Sequence, residues 1–431
     1  MYDLIVIGAG WAGISACMEA RARGLTCALI DKGPLGGTCL NTGCIPTKTL
    51  IHSAKLYSQV KKAAGFGIEI PSSHLDFHKV QQRKQRIIGL LGNGIDSLLK
   101  GTQVIQAEAQ VIAPDCVRTD SAELRAKRIL VATGSIPAQI KDMPFNGNSV
   151  LSSDDALKLP EPPESLLIVG GGVIGCEFAG LFSSLGTRVT IVELTGQLLP
   201  GMDSDIAARL TACFKKKRID VRTSCDVRTV DRSVFEKTLV CVGRRPCTQG
   251  LGLEQTGVSL RPDGACTVDD MMQTNIPSVF AAGDCTGGIM LAHFAAFQGR
   301  RAVKSMSGIP AQVPGDFGPA VPGCVFTDPE IASVGLTEER AAQSNVRVRV
   351  YRFDFMASGM ARILDETDGY VKIITQESTG KIVGAGIIGP KATELISTLT
   401  VAVQAAMTVE QLRDTILPHP TLSEAITEAL K

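Results

Sequence analysis

One glycine pattern, set between two apolar segments, constrains the fold of this chain more than any other feature. An apolar segment at residues 2–7 leads into Gly8-x-Gly10-x-x-Gly13, a helical segment and a second apolar segment that ends before Asp31. In a βαβ unit of this kind the first glycine makes the strand-to-helix turn, the second lets a pyrophosphate approach the backbone, and the third allows close packing of helix on strand. The terminal acid accepts hydrogen bonds from ribose hydroxyls. We therefore predict a dinucleotide-binding unit.

The same pattern returns later in the chain. Its second copy starts 162 positions further on and has Gly170, Gly172, Gly175 and Glu193 in the corresponding places, with 23 positions from first glycine to acid in both copies. Two accidental matches of this length are improbable, so the chain is predicted to bind two dinucleotides. In the second copy an acid at the ribose position repels a 2′-phosphate, which favours NAD over NADP.

Two cysteines lie five positions apart shortly after the first unit, at Cys39 and Cys44, beside glycines and a proline. This placement suggests a redox disulfide next to a bound cofactor. In an ideal α-helix Cα atoms five residues apart are about 8 to 9 Å from each other, beyond the roughly 7 Å that a disulfide spans. The pair therefore needs a distorted turn, which Gly43 permits and Pro46 helps to set.

Two other interpretations of the cysteine pair have to be considered. A zinc site needs four ligands, and neither cysteine belongs to a CxxC pair with a second such pair downstream, so we predict no metal. Two unrelated buried thiols are a stronger alternative, because free cysteine is among the most buried residue types. On the pair alone, a redox role and ordinary burial stay equally open.

Length, charge and cysteine usage narrow the class of protein. The chain has 431 residues, 44 Lys and Arg against 43 Asp and Glu, and 13 cysteines without a secreted-domain framework. Its length predicts two to four domains, and its balanced charge gives no indication of nucleic acid binding. Because no apolar run is long enough for a membrane span and no signal segment precedes the first strand, we expect a soluble protein of the cytoplasm.

The middle of the chain adds two candidate cofactor contacts. An apolar strand at residues 129–134 ends in Gly134, and another at 278–282 runs into Asp284. An acid at the carboxyl end of such a strand lies where ligands bind in open α/β sheets, so Asp284 could hold a cofactor hydroxyl. The alternative is a helix N-cap for the segment that begins near Gly288.

The remaining segments predict a long helix and a separate terminal block. Residues 75–100 form the helix, with Asp76 as N-cap and a basic face exposed to solvent that comprises Lys79, Arg83, Lys84 and Arg86. The terminal block alternates strands at residues 346–353, 369–375 and 382–388 with helices from 337 and over 391–407. It carries no nucleotide motif, so we expect it to serve association or to complete a site.

A histidine and an acid near the C-terminus form the second chemically suggestive stretch, His419-Pro-Thr-Leu-Ser-Glu424. Thr421 and Glu424 also fit a capping box that would open the final helix. That alternative does not explain His419. A histidine oriented by a neighbouring carboxylate is a plausible acid–base catalyst.

Taken together and in this order, these motifs resemble the flavin-dependent pyridine nucleotide-disulfide oxidoreductases. The resemblance rests on GGTCLNTGCIPTK at residues 36–48, the two glycine units with their acids, the segment ending FAAGD at Asp284, and HPTLSE from His419. It covers nearly the whole chain. It implies an α/β fold with two Rossmann-like domains, for FAD and NAD, and a C-terminal α+β dimerisation domain.

The resemblance also implies an activity and a role for each motif. The first glycine unit would bind FAD, with Gly134 nearby and Asp284 on the ribityl chain, and the second unit would bind NAD. Cys44 would face the flavin and Cys39 would exchange with substrate. The implied reaction is the oxidation of dihydrolipoyl groups on a lipoylated carrier protein of a 2-oxoacid dehydrogenase or glycine cleavage system. A reductase of another disulfide, or a flavoprotein sensor without turnover, remains an alternative.

Two charged pairs complete the implied site. Lys48 and Glu177 match a family pair beside the flavin ring, although an ordinary pair of surface charges would explain them too. His419 would be the base, oriented by Glu424 and contributed across a homodimer interface from the other subunit. This chain departs from the family pattern by Leu417, where a further histidine is usual, and by a short segment between residues 222 and 239.

The expected domain limits follow from the positions of the motifs. The predicted order is a first part of the FAD-binding domain at residues 1–150, a shortened NAD-binding domain at 151–266, a return segment of the FAD-binding domain at 267–314, and an interface domain at 315–431.

Overall fold

The structure is a computed structural model that describes residues 1–310 and 318–431. Its strands are β1 (Tyr2–Ile7), β2 (Cys27–Asp31), β3 (Gln103–Gln106), β4 (Gln110–Ala113), β5 (Cys116–Arg118), β6 (Glu123–Val131), β7 (Ser135–Pro137), β8 (Val150–Leu151), β9 (Ser165–Val169), β10 (Arg188–Val192), β11 (Asp220–Arg222), β12 (Lys237–Val240), β13 (Arg244–Pro246), β14 (Val279–Ala281), β15 (Gly323–Val325), β16 (Glu330–Gly335), β17 (Val348–Asp354), β18 (Tyr370–Gln376) and β19 (Ile382–Gly389). Its helices are α1 (Trp11–Ala22), α2 (Gly37–Asn41), α3 (Cys44–Lys61), α4 (Phe77–Leu98), α5 (Ser153–Ala156), α6 (Val173–Ser184), α7 (Ser204–Lys216), α8 (Ala292–Met306), α9 (Glu338–Gln343), α10 (Gly359–Ile363), α11 (Ala392–Gln404), α12 (Val409–Arg413) and α13 (Glu424–Glu428).

The first predicted βαβ unit forms the centre of a seven-stranded sheet. Strands β3, β2, β1, β6 and β14 are parallel, and β5 and β4 extend the sheet antiparallel from the N-terminal half of β6. Strand β1 is buried along its C-terminal half because α1 and α8 cover one face of the parallel part and strands β4 and β5 with the segment around Leu253 cover the other, which explains its continuous apolar sequence. Strand β14 comes from the predicted return segment and places Asp284 at the carboxyl edge of this sheet.

The second unit forms a five-stranded parallel sheet in the order β11-β10-β9-β12-β8. Every residue of β9 is buried, as its uninterrupted apolar sequence predicts. Between β11 and β12 the chain makes only two 3₁₀ turns, Val227–Thr229 and Arg232–Val234.

The terminal block is a five-stranded antiparallel sheet in the order β15-β16-β19-β18-β17, with α11 packed on β16 and β19. Its three predicted strands and both predicted helices are confirmed, and Thr337 caps α9 by accepting a hydrogen bond from the Arg340 N–H. The predicted α/β class with an α+β terminal block is therefore confirmed.

Residues 247–266 pack against the first sheet although the predicted limits assign them to the second unit. Leu253 and Val258 share a buried core with Ile5 of β1. The chain leaves the second sheet where β13 pairs with β7 in a separate two-stranded sheet. The domain limits stay a prediction, and we propose an earlier end of the second unit, near Gly243. The predicted limit between residues 314 and 315 lies outside the described residues.

The structure also decides three local predictions, which concern the long helix α4, Asp284 and the capping box. Asp76 caps α4 as predicted, but Lys84 on this helix is buried and donates to the Leu157 carbonyl at 2.6 Å, so its assignment to a solvated face was wrong. Asp284 does not cap α8, which begins eight residues later. The predicted capping box is half formed: the Glu424 carboxylate accepts from the Thr421 N–H, whereas the final helix begins at Glu424 itself.

Candidate active site

The two cysteines of the central stretch lie at the junction of two helices. Cys39 is in α2, and Cys44 is the first residue of α3. The backbone between them turns so sharply that a Cβ on Gly43 would lie 2.8 Å from the Thr38 carbonyl oxygen. Pro46 occupies the first turn of α3, where its missing N–H costs no helical hydrogen bond. The distorted turn predicted from the spacing is confirmed, and both cysteines are free thiols in this structure.

The two thiols differ in acidity although they are neighbours. A hydrogen bond donated by Cys39 and the nearby Lys48 ammonium lower the pKa of Cys44 to about 6, against the opposing effect of burial. The same shared hydrogen bond, together with burial, raises the pKa of Cys39. At neutral pH the dithiol form is therefore a Cys44 thiolate beside a neutral Cys39 thiol.

The first glycine turn fits a dinucleotide. A Cβ on Gly8, whose φ is +109°, would lie 2.3 Å from the Ala132 carbonyl oxygen, and one on Gly13 would lie 1.9 Å from the Gly8 oxygen. A Cβ on Gly10 would instead point into open space, and so would one on Gly134. The first and third glycines thus serve packing, and the second leaves room for a phosphate at the N-terminus of α1.

The acid that closes the first unit is held by backbone N–H groups. Asp31 accepts from the Ala9 N–H at 2.5 Å and from the Gly33 N–H at 2.7 Å. These bonds place the carboxylate directly beside the glycine turn.

The second glycine turn repeats this geometry. A Cβ on Gly170 would lie 2.4 Å from the Cys241 carbonyl oxygen, one on Gly175 would lie 2.0 Å from the Gly170 oxygen, and one on Gly172 would meet open space. Glu193 is 7 % exposed and accepts from the Gly171 N–H at 2.6 Å. Its other oxygen accepts from the N–H and hydroxyl of Thr195, both at 2.8 Å. A fixed, buried anion of this kind disfavours a 2′-phosphate.

One cavity of about 1270 Å³ joins both turns to the cysteine pair. Ligand pockets for a single small molecule measure roughly 300 to 1,000 Å³, so this volume accommodates more than one ligand. Its walls include the predicted residues Gly10, Cys39, Cys44, Lys48, Gly134, Gly170, Gly172, Glu177, Glu193 and Asp284. The structure thus brings most of the predicted site residues together.

Lys48 and Glu177 form a bidentate ion pair inside this cavity. The Lys48 Nζ lies 2.8 and 2.7 Å from the two Glu177 carboxylate oxygens. Glu177 is 3 % exposed and also accepts from the Phe326 N–H at 3.0 Å, while the ammonium lies 4.8 Å from the centre of the Phe326 ring. The alternative of an ordinary surface pair is therefore wrong, because the pair links α3 to α6 beside the cysteines.

Asp284 is held by two residues that sequence reasoning missed. The Ser135 hydroxyl donates to Asp284 at 2.6 Å and accepts from the Arg244 Nε at 2.8 Å. Ser135 and Arg244 each come four positions after the end of a strand, β6 and β12. Both are polar residues just past the carboxyl ends of central strands, and this position in the sequence could have indicated them as site residues.

His419 and Glu424 form a pair of their own, away from the cavity. The His419 Nδ1 lies 2.8 Å from the Glu424 carboxylate, and the imidazole is 81 % exposed. The Thr421 N–H and then His419 lower the pKa of Glu424, which keeps the carboxylate charged. His419 is not one of the described residues that line the cavity. The orienting contact is present, but a single chain does not bring this histidine to the cysteines.

Comparisons with known proteins agree on one family. Residues 2–299 match the model of the pyridine nucleotide-disulphide oxidoreductases, and residues 321–430 match the dimerisation domain of that family. A dihydrolipoyl dehydrogenase of Bacillus subtilis is 40 % identical over 99 % of this chain and 97 % of its own length. One of Geobacillus stearothermophilus is 38 % identical over 99 % of this chain and 95 % of its own.

Solved structures show the same fold. LpdA from Mycobacterium tuberculosis is 30 % identical with a TM-score of 0.90, and covers 99 % of this chain and 98 % of its own. The HOCl-induced flavoprotein disulfide reductase RclA from Escherichia coli is 29 % identical with a TM-score of 0.88 over 100 % of this chain and 99 % of its own. The alignment with the Bacillus relative spans 450 positions, so that relative carries residues that this chain of 431 lacks.

Proposed function

The chain belongs to the pyridine nucleotide-disulphide oxidoreductase family, and from this premise we propose that it is a dihydrolipoyl dehydrogenase that uses FAD and NAD. The observation that carries the proposal is the cysteine pair: Cys39 and Cys44 line one cavity with both dinucleotide turns. The names of its full-length relatives support the same substrate class.

The thiol chemistry follows from the unequal acidity of the pair. A dihydrolipoyl thiolate attacks Cys39 of the oxidised pair, the Cys39–Cys44 bond breaks, and Cys44 leaves as the more stable thiolate. The second substrate thiol, after losing its proton, attacks the mixed disulfide, so that oxidised lipoyl departs and Cys39 keeps the electron pair. The substrate has then lost two electrons and the enzyme holds them as a dithiol.

His419 is the group proposed to take the substrate proton. Its Nε2 is free to accept because Nδ1 contacts Glu424 at 2.8 Å, and Glu424 stabilises the imidazolium that forms. Because His419 is exposed and absent from the cavity wall of its own chain, we place it against the cysteines of the partner subunit in a homodimer.

The cofactor contacts divide between the two turns. Gly8, Gly10, Gly13 and Asp31 would hold FAD together with Gly134 and Asp284, and Gly170, Gly172, Gly175 and Glu193 would hold NAD. FAD, when bound, supplies the two-electron chemistry that connects the thiol pair to NAD. Lys48, fixed by Glu177, presents a cation beside both thiols. Buried Glu193 selects NAD over NADP.

The partner and the compartment belong to the same proposal. A dihydrolipoyl group reaches an enzyme on a lipoylated carrier, such as that of a 2-oxoacid dehydrogenase or of the glycine cleavage system. We place the protein in the cytoplasm. No helix within residues 1–310 and 318–431 combines the length and apolar character needed to cross a bilayer.

The proposal is tested with the FAD-loaded dimer. Steady-state NADH formation is measured with free dihydrolipoamide and with lipoylated carrier domains, with NAD and then with NADP. We expect turnover with NAD and a much lower kcat/KM with NADP. An anaerobic titration with NADH should also produce a long-wavelength thiolate-to-flavin absorption band. A loaded enzyme that shows the band but does not oxidise dihydrolipoamide would be a reductase of another disulfide.

A further inference from the structure

Trp11 is the single tryptophan of the chain and lies in the first glycine turn, between Gly10 and Gly13. It is the first residue of α1, it is half-buried, and it lines the same cavity as Cys39. The dinucleotide turn itself requires glycines for close approach but no large side chain at this position. An indole in the wall between the phosphate site and the thiols therefore calls for a separate explanation.

The backbone brings this turn directly against the cysteine stretch. The Gly36 N–H donates to the Ala9 carbonyl at 2.9 Å. A Cβ on Gly37 would lie only 2.8 Å from the Gly10 Cα. Helix α2 begins at Gly37, so Cys39 lies on the first turn of a helix whose N-terminus packs against the residue before Trp11. This packing fixes the two stretches of backbone that carry the indole and the sulfur.

We propose that Trp11 is a positioning residue for thiol exchange, whose indole N–H donates a hydrogen bond to the sulfur of Cys39. This role rests on the proposed function, in which Cys39 is the thiol that exchanges with substrate. When Cys39 leaves the mixed disulfide it becomes a thiolate, and a fixed donor stabilises that anion and orients it for the reverse attack.

The charges around the sulfur agree with this arrangement. Cys44 and burial raise the pKa of Cys39, and the indole of Trp11 and the ammonium of Lys48 lower it. Two groups thus favour the Cys39 thiolate, the charged ammonium of Lys48 and the uncharged indole of Trp11. The same cavity is lined by further titratable groups, which are Glu177 on α6, Asp284 after β14, His293 on α8, Glu193 after β10, Arg244 on β13, Cys324 on β15, and Asp142, Cys225, Asp226, Arg228 and Cys241.

The test isolates Cys39 in FAD-loaded Cys44→Ser enzyme and compares it with the same enzyme carrying Trp11→Phe, which keeps an aromatic ring but removes the donor. Iodoacetamide labelling of Cys39 is followed by peptide mass spectrometry between pH 6 and 10. We expect the pH midpoint of Cys39 labelling to rise by about one pH unit in the Trp11→Phe variant. Below the midpoint the labelling rate should fall about threefold, less than the loss of thiolate, because a more basic thiolate is also more nucleophilic.

Two further measurements decide the result. Trp11→Leu removes both the aromatic ring and the donor. If the pH midpoint of Cys39 labelling is unchanged in the Phe variant but shifted in the Leu variant, the effect is due to packing of the ring, and the proposal is overturned. If the variants lose FAD, tryptophan fluorescence replaces the labelling experiment. The emission of Trp11 in the Cys44→Ser enzyme must then change at the pH midpoint of Cys39. It must not change in the Cys39→Ser/Cys44→Ser double variant. Neither readout uses a lipoyl substrate, so each stands apart from the test of the proposed function.

Discussion

Individual residues acquire their roles here from position rather than from type. Cys39 and Cys44 are chemically the same side chain, yet Cys44 stands at the N-terminus of an 18-residue helix and accepts a hydrogen bond from Cys39. The helix dipole and the Lys48 ammonium both favour its thiolate. Their spacing in the sequence indicated a distorted turn, but it could not indicate which thiol is the more acidic, because that depends on Lys48 and on the acceptor geometry.

The acidity of Cys44 should depend on Lys48. Because the pKa of Cys44 is lowered to about 6, its thiolate persists above that pH and is lost as the pH falls through it. Lys48→Met removes a cation that lowers this pKa, so the midpoint should rise by about one unit. The long-wavelength band of the NADH-reduced enzyme, recorded against pH, measures it.

Lys55→Met is the matched control for this experiment. Lys55 lies on the same helix but pairs with Glu330, at 3.7 Å, on the interface domain. Its replacement should leave the Cys44 midpoint unchanged. An unaltered midpoint in the Lys48 variant would show that the ammonium does not act on the thiol.

His419→Gln should slow the oxidation of dihydrolipoamide about a hundredfold to ten-thousandfold, as expected for loss of an acid–base group. Reduction of the enzyme by NADH does not need this proton transfer and should keep its rate. Stopped-flow and steady-state assays on the same preparation separate the two half-reactions. Glu424→Gln should cost less, because the amide still accepts from the Thr421 N–H. Full activity of the histidine variant would contradict the assignment.

Among secondary-structure elements, those with continuous or regular patterns were predictable and those set by tertiary pairing were not. Strand β1 was predicted to the residue, since its apolar run and Gly8 define both ends. Strands β7 and β13 have three residues each, and their pairing depends on two loops that meet only in the folded chain. Lys84 was misplaced for a related reason, because α4 packs beside the Leu157 carbonyl, which sequence periodicity does not show.

The contact between α3 and α6 should depend on Glu177. Glu177→Ala leaves the Lys48 ammonium and the Phe326 N–H without their buried acceptor, and breaking such a pair costs about 3 kcal/mol of unfolding free energy. Glu177→Gln should cost about half as much, since its amide oxygen still accepts from Phe326. Urea midpoints of the FAD-loaded proteins measure both. Equal midpoints for the Ala variant and wild type would show that the pair is solvated.

At the scale of the whole molecule, a buried lysine ties the second unit to the terminal block. Lys372 of β18 is 1 % exposed, and its Nζ lies 2.7 Å from Asp205, 2.8 Å from Glu338 and 3.3 Å from Asp203. These three acids lie close enough to one another to hold a metal ion, but the Lys372 ammonium already lies within 3.3 Å of an oxygen of each of them. The repeated glycine units predicted the two parallel sheets, whereas nothing in the spacing of these charges predicted that they meet.

Lys372→Met should destabilise the protein by about 3 kcal/mol at pH 7, because buried Asp203 and the partly exposed Asp205 and Glu338 would then repel one another without a cation between them. In the wild type, burial opposes the ionisation of Asp205, but the hydrogen bond from Lys372 prevails and lowers its pKa below the ordinary 3.8. The stabilisation by this pair is therefore present above pH 4 and is lost on acidification. The difference between variant and wild type should persist between pH 7 and 4 and shrink as the pH falls below 4, in urea titrations at each pH. A pH-independent difference would contradict the electrostatic explanation.

The exposed position of His419 leads to a prediction about the dimer. If each site combines the cysteines of one subunit with the histidine of the other, then Cys39→Ser and His419→Gln homodimers are both inactive, whereas a mixed dimer has one intact site. Random pairing of equal amounts gives half mixed dimers, so co-expression should restore about a quarter of wild-type activity in dihydrolipoamide oxidation, as expected for a two-fold symmetric dimer. Differently tagged subunits allow the mixed dimer to be purified and assayed alone at about half activity per dimer. If each site were instead contained within one chain, one site of the mixed dimer would lack Cys39 and the other would lack His419, so no activity would be restored.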